Sequence, residues 1–147
     1  MDDTILSILD SAGWYENRSI NIAYEIDDLK LEGFTLPNEN LILLWKEFWN
    51  LRIEFTLPTG EFSDIELSIE KGRRSLDTDD VKAYERIVSK TLIPAGLLHF
   101  GNALLLISLD LCFYMVMEEG VYQVGESFED FLDVTINRKP LLKFHWQ

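Results

Sequence analysis

Before residue 50, apolar residues recur at the three- and four-residue steps of amphipathic helices in three stretches. The first follows Asp3 and Thr4, either of which would serve as its N-cap, and it stops at Gly13. The second ends at Gly33, which tolerates the positive φ of a helix C-terminus. The third has Pro37 in its first turn, where a missing N–H costs nothing. The pattern predicts helices over residues 4–12, 19–33 and 37–49.

Alternation of apolar and polar residues follows, and this pattern predicts strands. Residues 51–57 and 64–70 each alternate with period two. The Pro58-Thr59-Gly60 segment between them is typical of a tight turn, so the two strands are expected to pair as an antiparallel hairpin. Residues 71–74 are predicted to form a polar turn after the hairpin.

Apolar runs in the second half predict the rest of the sheet. The run over residues 103–109 is typical of a central strand covered on both faces, and two further strands are predicted over 112–117 and 120–124. Glu118-Glu119-Gly120 is the predicted turn between those two strands. The Ile93-Pro94-Ala95-Gly96 segment is expected to break the chain ahead of them, because proline and glycine interrupt regular structure.

Two more helices complete the pattern. One spans 78–88 behind an N-cap at Asp77 or Thr78, and the other begins at Ser127 and is ended by Pro140. The aromatic tail, residues 141–147, is expected to dock on the rest of the chain. Helices at both ends with strands grouped between them predict an α+β fold. We expect one domain over residues 1–147, with a central, mostly antiparallel sheet of about five to six strands covered by helices.

The chain is strongly acidic. Its 13 Lys and Arg against 26 Asp and Glu give a formal net charge of −13, which argues against a nucleic-acid-binding face, because such a face needs clustered basic residues. A cationic partner is the natural complement. The second and third residues are Asp where a signal peptide would be basic, and no apolar run approaches the roughly 20 residues of a membrane span. We therefore expect a cytoplasmic protein.

The inventory of reactive residues points away from catalysis and metal binding. Cys112 is the only cysteine, so neither an internal disulfide nor a thiolate metal cluster can form, and its apolar neighbours predict a buried thiol. His99 and His145 lie far apart in the sequence and do not form a zinc-binding pair, and His99 is expected in a turn. We expect no cofactor, no metal ion and no enzymatic activity.

Two alternatives stay open in such an acidic chain. Asp77, Asp79 and Asp80 resemble part of a calcium loop, but Lys82 stands where the sharp-turn glycine belongs, so helix capping is the better interpretation. Paired carboxylates would support acid-base catalysis only if two of them faced one pocket with separated pKa values. A hydrolase of that kind is the third-ranked hypothesis for this chain.

Short segments in a fixed order give the sequence a family likeness. A Gly-Trp-x-x-x-Arg element follows the first helix, Gly-Phe precedes the third helix, which ends in Glu-Phe, and a Pro-containing turn precedes the later strands. Together they resemble the SUKH superfamily of bacterial immunity proteins, and its third subgroup most closely, over nearly the whole chain. The resemblance rests on these signature residues, which we interpret as structural: Gly13, Trp14, Arg18, Gly33, Phe48, Pro94 and Gly125.

The resemblance implies a SUKH fold, no catalysis, and a cytoplasmic protein that binds a cognate polymorphic toxin and protects the producing cell. The implied partner is a nuclease, such as the C-terminal RNase or DNase domain of an LXG-type exported toxin, inhibited by stoichiometric occlusion. One departure is Trp49-Asn50, where the family usually has small glycines. The alternative function is a non-enzymatic scaffold or regulatory module, since the superfamily includes proteins that resemble cell-wall synthesis regulators.

Candidate toxin contacts lie beside the two predicted hairpins, where side chains should be exposed and function concentrates. A plain solvated turn is the alternative interpretation of Glu118 and Glu119. The oligomeric state stays open between a monomer and a weak dimer. The candidates are Glu61, Asp64 and Glu66 around the first hairpin, and Glu118, Glu119, Tyr122 and Glu126 around the later one.

Overall fold

The computed structural model describes residues 1–144, which form six helices and seven strands. The helices are α1 (Asp3–Ser11), α2 (Ala23–Leu31), α3 (Glu39–Phe48), α4 (Ile69–Arg74), α5 (Thr78–Val88) and α6 (Phe128–Ile136). None of these helices has the length and apolar character needed to span a lipid bilayer. The strands are β1 (Leu51–Thr56), β2 (Phe62–Leu67), β3 (Leu92–Leu98), β4 (Ala103–Ser108), β5 (Phe113–Met117), β6 (Gly120–Gly125) and β7 (Leu142–Phe144).

The described strands form one antiparallel sheet whose spatial order is the chain order, β1 to β7. Each strand therefore pairs with its neighbours in sequence. Helices α4 and α5 connect β2 to β3, and α6 connects β6 to β7. The predicted α+β class with a helix-covered antiparallel sheet is confirmed. The sheet has seven strands rather than the predicted five to six, because β3 and β7 were not foreseen.

Strand β3 contradicts the predicted break over residues 93–96. Pro94 lies inside the strand, opposite Leu106, and the register shifts between Pro94 and Gly96. A proline has no N–H for the ladder and is tolerated at such a bulge. Gly96 is required at the same place, because a Cβ there would lie 2.0 Å from the carbonyl oxygen of Glu66. The segment that resembled a breaker is therefore a central strand with a local irregularity.

The polar turn predicted over residues 71–74 is also wrong, because α4 occupies this segment. Ser68 caps the helix by accepting a backbone N–H of its first turn, and this ends β2 at Leu67 rather than at residue 70. Gly72 packs against β3, where a Cβ would lie 2.7 Å from the nitrogen of Gly96. A six-residue helix is too short to display a helical period in the sequence.

The observed N-caps correct the early helix starts. Asp2, and not Asp3 or Thr4, caps α1, and its carboxylate accepts the third N–H of the helix at 2.8 Å. Helix α2 begins at residue 23 rather than at 19. Asn38 caps α3, so Pro37 precedes this helix and does not lie in its first turn. The existence of all three helices is confirmed, but each starts later or is capped elsewhere than predicted.

The two later helices start as predicted. The Asp77 carboxylate accepts the Asp80 N–H at 2.8 Å, while the Asp80 carboxylate accepts the Asp77 N–H at 3.1 Å, which makes a reciprocal capping box. Ser127 accepts the Asp130 N–H at 3.1 Å at the start of α6. This geometry favours capping over a calcium loop. In the described part of the chain, no group of three or more His, Cys, Asp or Glu is placed to hold a metal ion.

Aromatic rings join the helices to one face of the sheet. Phe113 of β5 stacks on Phe131 of α6 with ring centroids 4.8 Å apart. Phe128 of α6 lies 4.3 Å from Phe48 of α3 and 6.0 Å from Trp49. Such pairs add about 0.5–1.5 kcal/mol each to the free energy of burial. Helices α3 and α6 therefore cover the sheet face that carries Phe113, which we call the covered face.

Candidate partner-binding surface

The face of the sheet opposite the covered face is partly exposed. Directly paired residues share a face, and the row Arg52, Glu66, Leu97 and Leu104 crosses β1 to β4 on this second face. These four residues are exposed or half-buried, whereas the next member of the row, Val116 of β5, is buried. Leu106 and Ser108, the next residues of β4 on this face, are buried, so the uncovered region lies along this row and toward the β1–β2 turn, and we call it the open face.

Several of the predicted toxin contacts lie at one end of the sheet. In this strand order the β1–β2, β3–β4 and β5–β6 turns all fall at the same end. The first turn carries Glu61 and the third carries Glu118 and Glu119, and all three side chains are exposed. Tyr122, half-buried on β6, reaches the Glu119 carboxylate with its hydroxyl at 3.4 Å. The fold thus brings residues from two distant sequence segments to the same end of the sheet.

Asp64 is buried, which contradicts the prediction that it is an exposed contact. Its side chain is 2% exposed, although alternation along β2 places it on the open face with Phe62. The turn after β3 folds over it: the Phe100 N–H donates to Oδ1 at 2.7 Å, and the Arg52 Nε–H donates to Oδ2 at 2.9 Å. The Asp64 carboxylate therefore organises the turn above it.

The two remaining candidate acids lie away from this end of the sheet. Glu66 is half-buried within the open face and forms an ion pair with Lys71 at 2.6 Å. Glu126 follows β6 at the opposite end, where its backbone N–H donates to the Asp130 carboxylate at 2.9 Å. The structure therefore does not gather all seven predicted contacts into one surface.

The β3–β4 turn has an unusual backbone. His99, Phe100 and Gly101 have φ angles of 52°, 56° and 83°, three successive left-handed residues, which is costly wherever a Cβ is present. His99 Nδ1 lies 2.6 Å from the hydroxyl oxygen of Ser63. Burial, followed by the positive charge of Arg138, lowers the pKa of His99 below its ordinary 6.5, against the opposing pull of a nearby carboxylate. The imidazole is therefore neutral at neutral pH.

Ser63 and His99 do not form a catalytic triad with the neighbouring carboxylate. In such a triad the carboxylate orients the imidazole, but the Asp64 carboxylate bonds to Arg52 and to the Phe100 amide instead. Ser63 is only 3% exposed, so its hydroxyl is not presented to a substrate. The contact between Ser63 and His99 therefore holds the β3–β4 turn against β2.

Sequence reasoning missed the most exposed aromatic residues of this region. Phe62 is 78% and Phe100 is 56% exposed. Phe62 lies on the open face, and the turn that carries Phe100 folds over this face, since the Phe100 N–H donates to the Asp64 carboxylate. Leu97 and Leu104 are half-buried cross-strand neighbours on the same face. We call Phe62, Leu97, Phe100 and Leu104 the apolar patch. One signal was present in the sequence, because Phe62 stands two residues before Asp64, on the polar side of its strand.

A second polar cluster lies at the opposite end of the sheet. The Lys90 ammonium donates to the Asp110 carboxylate at 2.6 Å and approaches the Cys112 sulfur at 3.3 Å. The bond to Asp110 raises the pKa of Lys90, and the same bond, together with that of the Ser108 hydroxyl, lowers the pKa of Asp110. Cys112 is a buried free thiol, as its apolar neighbours predicted. This cluster ties the segment after α5 to the β4–β5 turn.

Trp14 and Arg18 anchor the loop after α1 to the end of α3. Trp14 stacks on Phe48 at 6.1 Å between ring centroids and donates its indole N–H to the Glu47 carboxylate at 3.2 Å. Arg18, 8% exposed, donates to the Glu47 carbonyl at 2.7 Å, and burial lowers the pKa of its guanidinium. The carbonyls in the last turn of a helix lack helical partners, and Arg18 supplies one.

Backbone requirements explain most of the other signature residues. Gly13 and Gly33 have φ angles of 106° and 83°. Gly125 lies so close to α6 that a Cβ would be 2.6 Å from the nitrogen of Phe131. At the departure from the family pattern, Asn50 has a φ of 60°, which asparagine tolerates better than most residues. The turn after α3 is therefore kept without a glycine.

A family model matches most of the chain. It describes the SUKH-3 immunity proteins and covers residues 1–137, a span that includes every described element except β7. No match was found among curated proteins or among solved structures. The covered span contains the Gly-Trp-x-x-x-Arg element, the β3 bulge and Gly125, so the likeness seen in these segments extends across the sheet. The chain belongs to the SUKH-3 immunity protein family, within the SUKH superfamily.

Proposed function

We propose that this protein binds and neutralises a cognate polymorphic toxin and so protects the cell that produces both. The observation that carries the proposal is membership of an immunity protein family over residues 1–137. The protein acts by stoichiometric occlusion of the toxin's working surface, without catalysis and without a cofactor or metal. Residues 1–147 form one immunity domain, which works in the cytoplasm during competition between bacteria.

The proposed toxin is a basic nuclease, such as the C-terminal RNase or DNase domain of an LXG-type exported toxin. A nuclease that holds an anionic substrate presents cationic side chains, and a net charge of −13 complements them. The imbalance is strongest in residues 1–50, which contain three Lys or Arg against ten Asp or Glu. Opposite charges raise association rates toward ~10⁸ M⁻¹s⁻¹ at low salt. Rapid capture suits an inhibitor that must act before its target meets nucleic acid.

The test of this function is inhibition at equal amounts. The probe is the purified C-terminal domain of the toxin encoded by the neighbouring gene, assayed on RNA and on DNA with and without this protein. We expect complete suppression at a 1:1 molar ratio, a complex that survives size-exclusion chromatography, and no product from this protein alone. Full toxin activity at an equimolar ratio, or no complex, would overturn the proposal.

The proposed acidic contacts at the β5–β6 turn can be tested by charge reversal. Glu118→Lys with Glu119→Lys should slow association at low salt about tenfold and leave dissociation nearly unchanged, because exposed rim charges act mainly on the encounter rate. The matched control, Asp10→Lys with Asp27→Lys, changes the net charge equally on exposed acids of α1 and α2. Surface plasmon resonance against the same toxin domain gives both rates. Equal association rates for the two double variants would remove Glu118 and Glu119 from the interface.

A further inference from the structure

The apolar patch is exposed to a degree that the fold itself does not require. Phe62 and Phe100 are 78% and 56% exposed, and the half-buried Leu97 of β3 and Leu104 of β4 are paired neighbours on the open face. Leu97 is also close to the turn, since its Cδ1 would lie 3.9 Å from a Cβ on Gly101. Exposed apolar side chains grouped in one region of a surface are typical of interaction sites on proteins.

The position of Phe100 is maintained against a backbone cost. A bulky residue with a φ of 56° is an outlier, and such strain persists only where surrounding contacts hold it. Here the buried Asp64 carboxylate accepts the Phe100 N–H at 2.7 Å, and Arg52 holds that carboxylate from the other side at 2.9 Å. On the covered side, His99 is held 2.6 Å from Ser63. These contacts hold the backbone that carries an exposed aromatic ring.

We propose that the apolar patch is the anchor through which this protein binds its toxin, an inference that rests on the proposed function. The toxin surface it fits has an apolar protrusion or pocket bordered by Lys and Arg side chains. Glu54, whose side chain is 71% exposed, and the exposed Glu61 border the patch. The nearby cations Arg52 and Lys71 already pair with acids of the same face. Arg52 also lies 3.8 Å from the Glu54 carboxylate, so in residues 1–144 Glu61 is the bordering acid without a cation at ion-pair distance. The acids of this region, Glu54, Glu61, Asp64 and Glu66, outnumber its cations, Arg52, Lys71 and the Arg138 that acts on His99, so the border keeps a net negative charge.

Charge also decides between a toxin and a second copy of this chain as the occupant. Two copies would each bring a net charge of −13, and their acidic borders would face each other across the contact. A basic toxin domain meets the same border with the opposite sign. Complementary borders around buried aromatic anchors are the usual arrangement of high-affinity interfaces.

The test uses two substitutions chosen to preserve the local backbone. Phe100→Asn keeps the N–H that Asp64 accepts and places a residue that tolerates left-handed φ, while Phe62→Thr keeps a good strand former. Tyr24→Ala is the matched control, because that ring is 67% exposed on α2, outside the patch. Against the purified toxin domain, each patch variant should raise the Kd about 10- to 100-fold, mainly through faster dissociation, and the control less than about threefold. Thermal unfolding establishes that all three variants are folded.

Each outcome decides the inference. Weakened binding for both patch variants with near wild-type binding for Tyr24→Ala supports it. If the wild-type protein inhibits the toxin and the folded patch variants inhibit it equally well, the inference is wrong and the proposed function stands. If the wild-type protein neither binds nor inhibits the toxin, both are wrong. If the variants convert a dimer to a monomer and leave toxin binding unchanged, a second copy covers the patch and the inference is wrong.

Discussion

Replacing Asp64 should show how much of the open-face geometry depends on one buried carboxylate. Asp64→Ala removes two acceptor bonds, from the Phe100 N–H at 2.7 Å and from Arg52 Nε at 2.9 Å. A hydrogen bond to a charged group contributes about 1.5–3 kcal/mol, and the loss leaves the Phe100 amide without this acceptor. Arg52 is 53% exposed and regains water, so its ion pair adds only up to about 1 kcal/mol. We expect a loss of about 2–4 kcal/mol in the free energy of unfolding.

The Asn variant separates the two contributions. Asp64→Asn retains a carbonyl oxygen for the Phe100 amide and loses only the charge that pairs with Arg52. It should therefore lower the free energy of unfolding by about 1–2 kcal/mol. Glu54→Ala is the control, since this acid lies on the same face with its side chain 71% exposed, and it should change stability by less than about 0.5 kcal/mol.

Urea unfolding followed by the fluorescence of the four tryptophans measures all three variants. The reasoning is refuted if Asp64→Ala unfolds within about 0.5 kcal/mol of the wild type, or if Asp64→Asn is as costly as Asp64→Ala. We also expect weaker toxin binding for Asp64→Ala at temperatures where it remains folded, because the β3–β4 turn that carries Phe100 loses its hydrogen bond to Asp64.

Three further predictions concern other contacts. His99→Asn should reduce the dependence of the free energy of unfolding on pH. Burial lowers the pKa of His99 below 6.5, so the stability contributed by the neutral ring is complete above pH 6.5 and is lost as the pH falls below that value. Urea unfolding at about pH 8 and pH 5 measures the difference. Gly125→Ala should lower the Tm by about 5–12 °C in calorimetry, because its Cβ would lie 2.6 Å from a backbone nitrogen of α6. Trp49→Phe should lower the free energy of unfolding by about 1–3 kcal/mol more than Trp45→Phe does. The reason is that the Trp49 indole N–H donates a 2.8 Å bond to a β3 carbonyl, whereas the Trp45 indole N–H has no partner in residues 1–144. Equal losses in the two variants would contradict this.

Elements specified by nearby residues could be predicted from the sequence. The β1–β2 hairpin, α5 with its Asp77 cap and α6 with its Ser127 cap all depend on signals within about ten residues. Strand β3 was missed because Pro94 is acceptable only at a bulge, and that bulge exists through pairing with β4. Helix α4 was missed because its Gly72 is selected by close contact with β3, which no local pattern reveals.

The candidate surface was predicted only in part, for a related reason. Alternation correctly placed Asp64 on the polar side of β2, but a sequence period assigns a face and does not show what covers it. The turn that buries Asp64 needs left-handed φ angles at both His99 and Phe100. Histidine adopts this conformation more often than most residues and His99 was expected in a turn, but a phenylalanine with this φ is an outlier that no local pattern predicts. The acids Glu61, Glu118 and Glu119 were predicted to be exposed and are exposed, whereas the exposure of Phe62 and Phe100 followed only from the structure.

The strand order has a consequence for how soon after synthesis the chain can work. Since every strand pairs with the ones made just before and after it, the sheet can grow along the nascent polypeptide without waiting for a distant segment to emerge. The insertion of α4 and α5 delays the pairing of β2 with β3, and α6 delays that of β6 with β7. Early folding suits the proposed function, because an immunity protein is needed as soon as the toxin is made in the same cell.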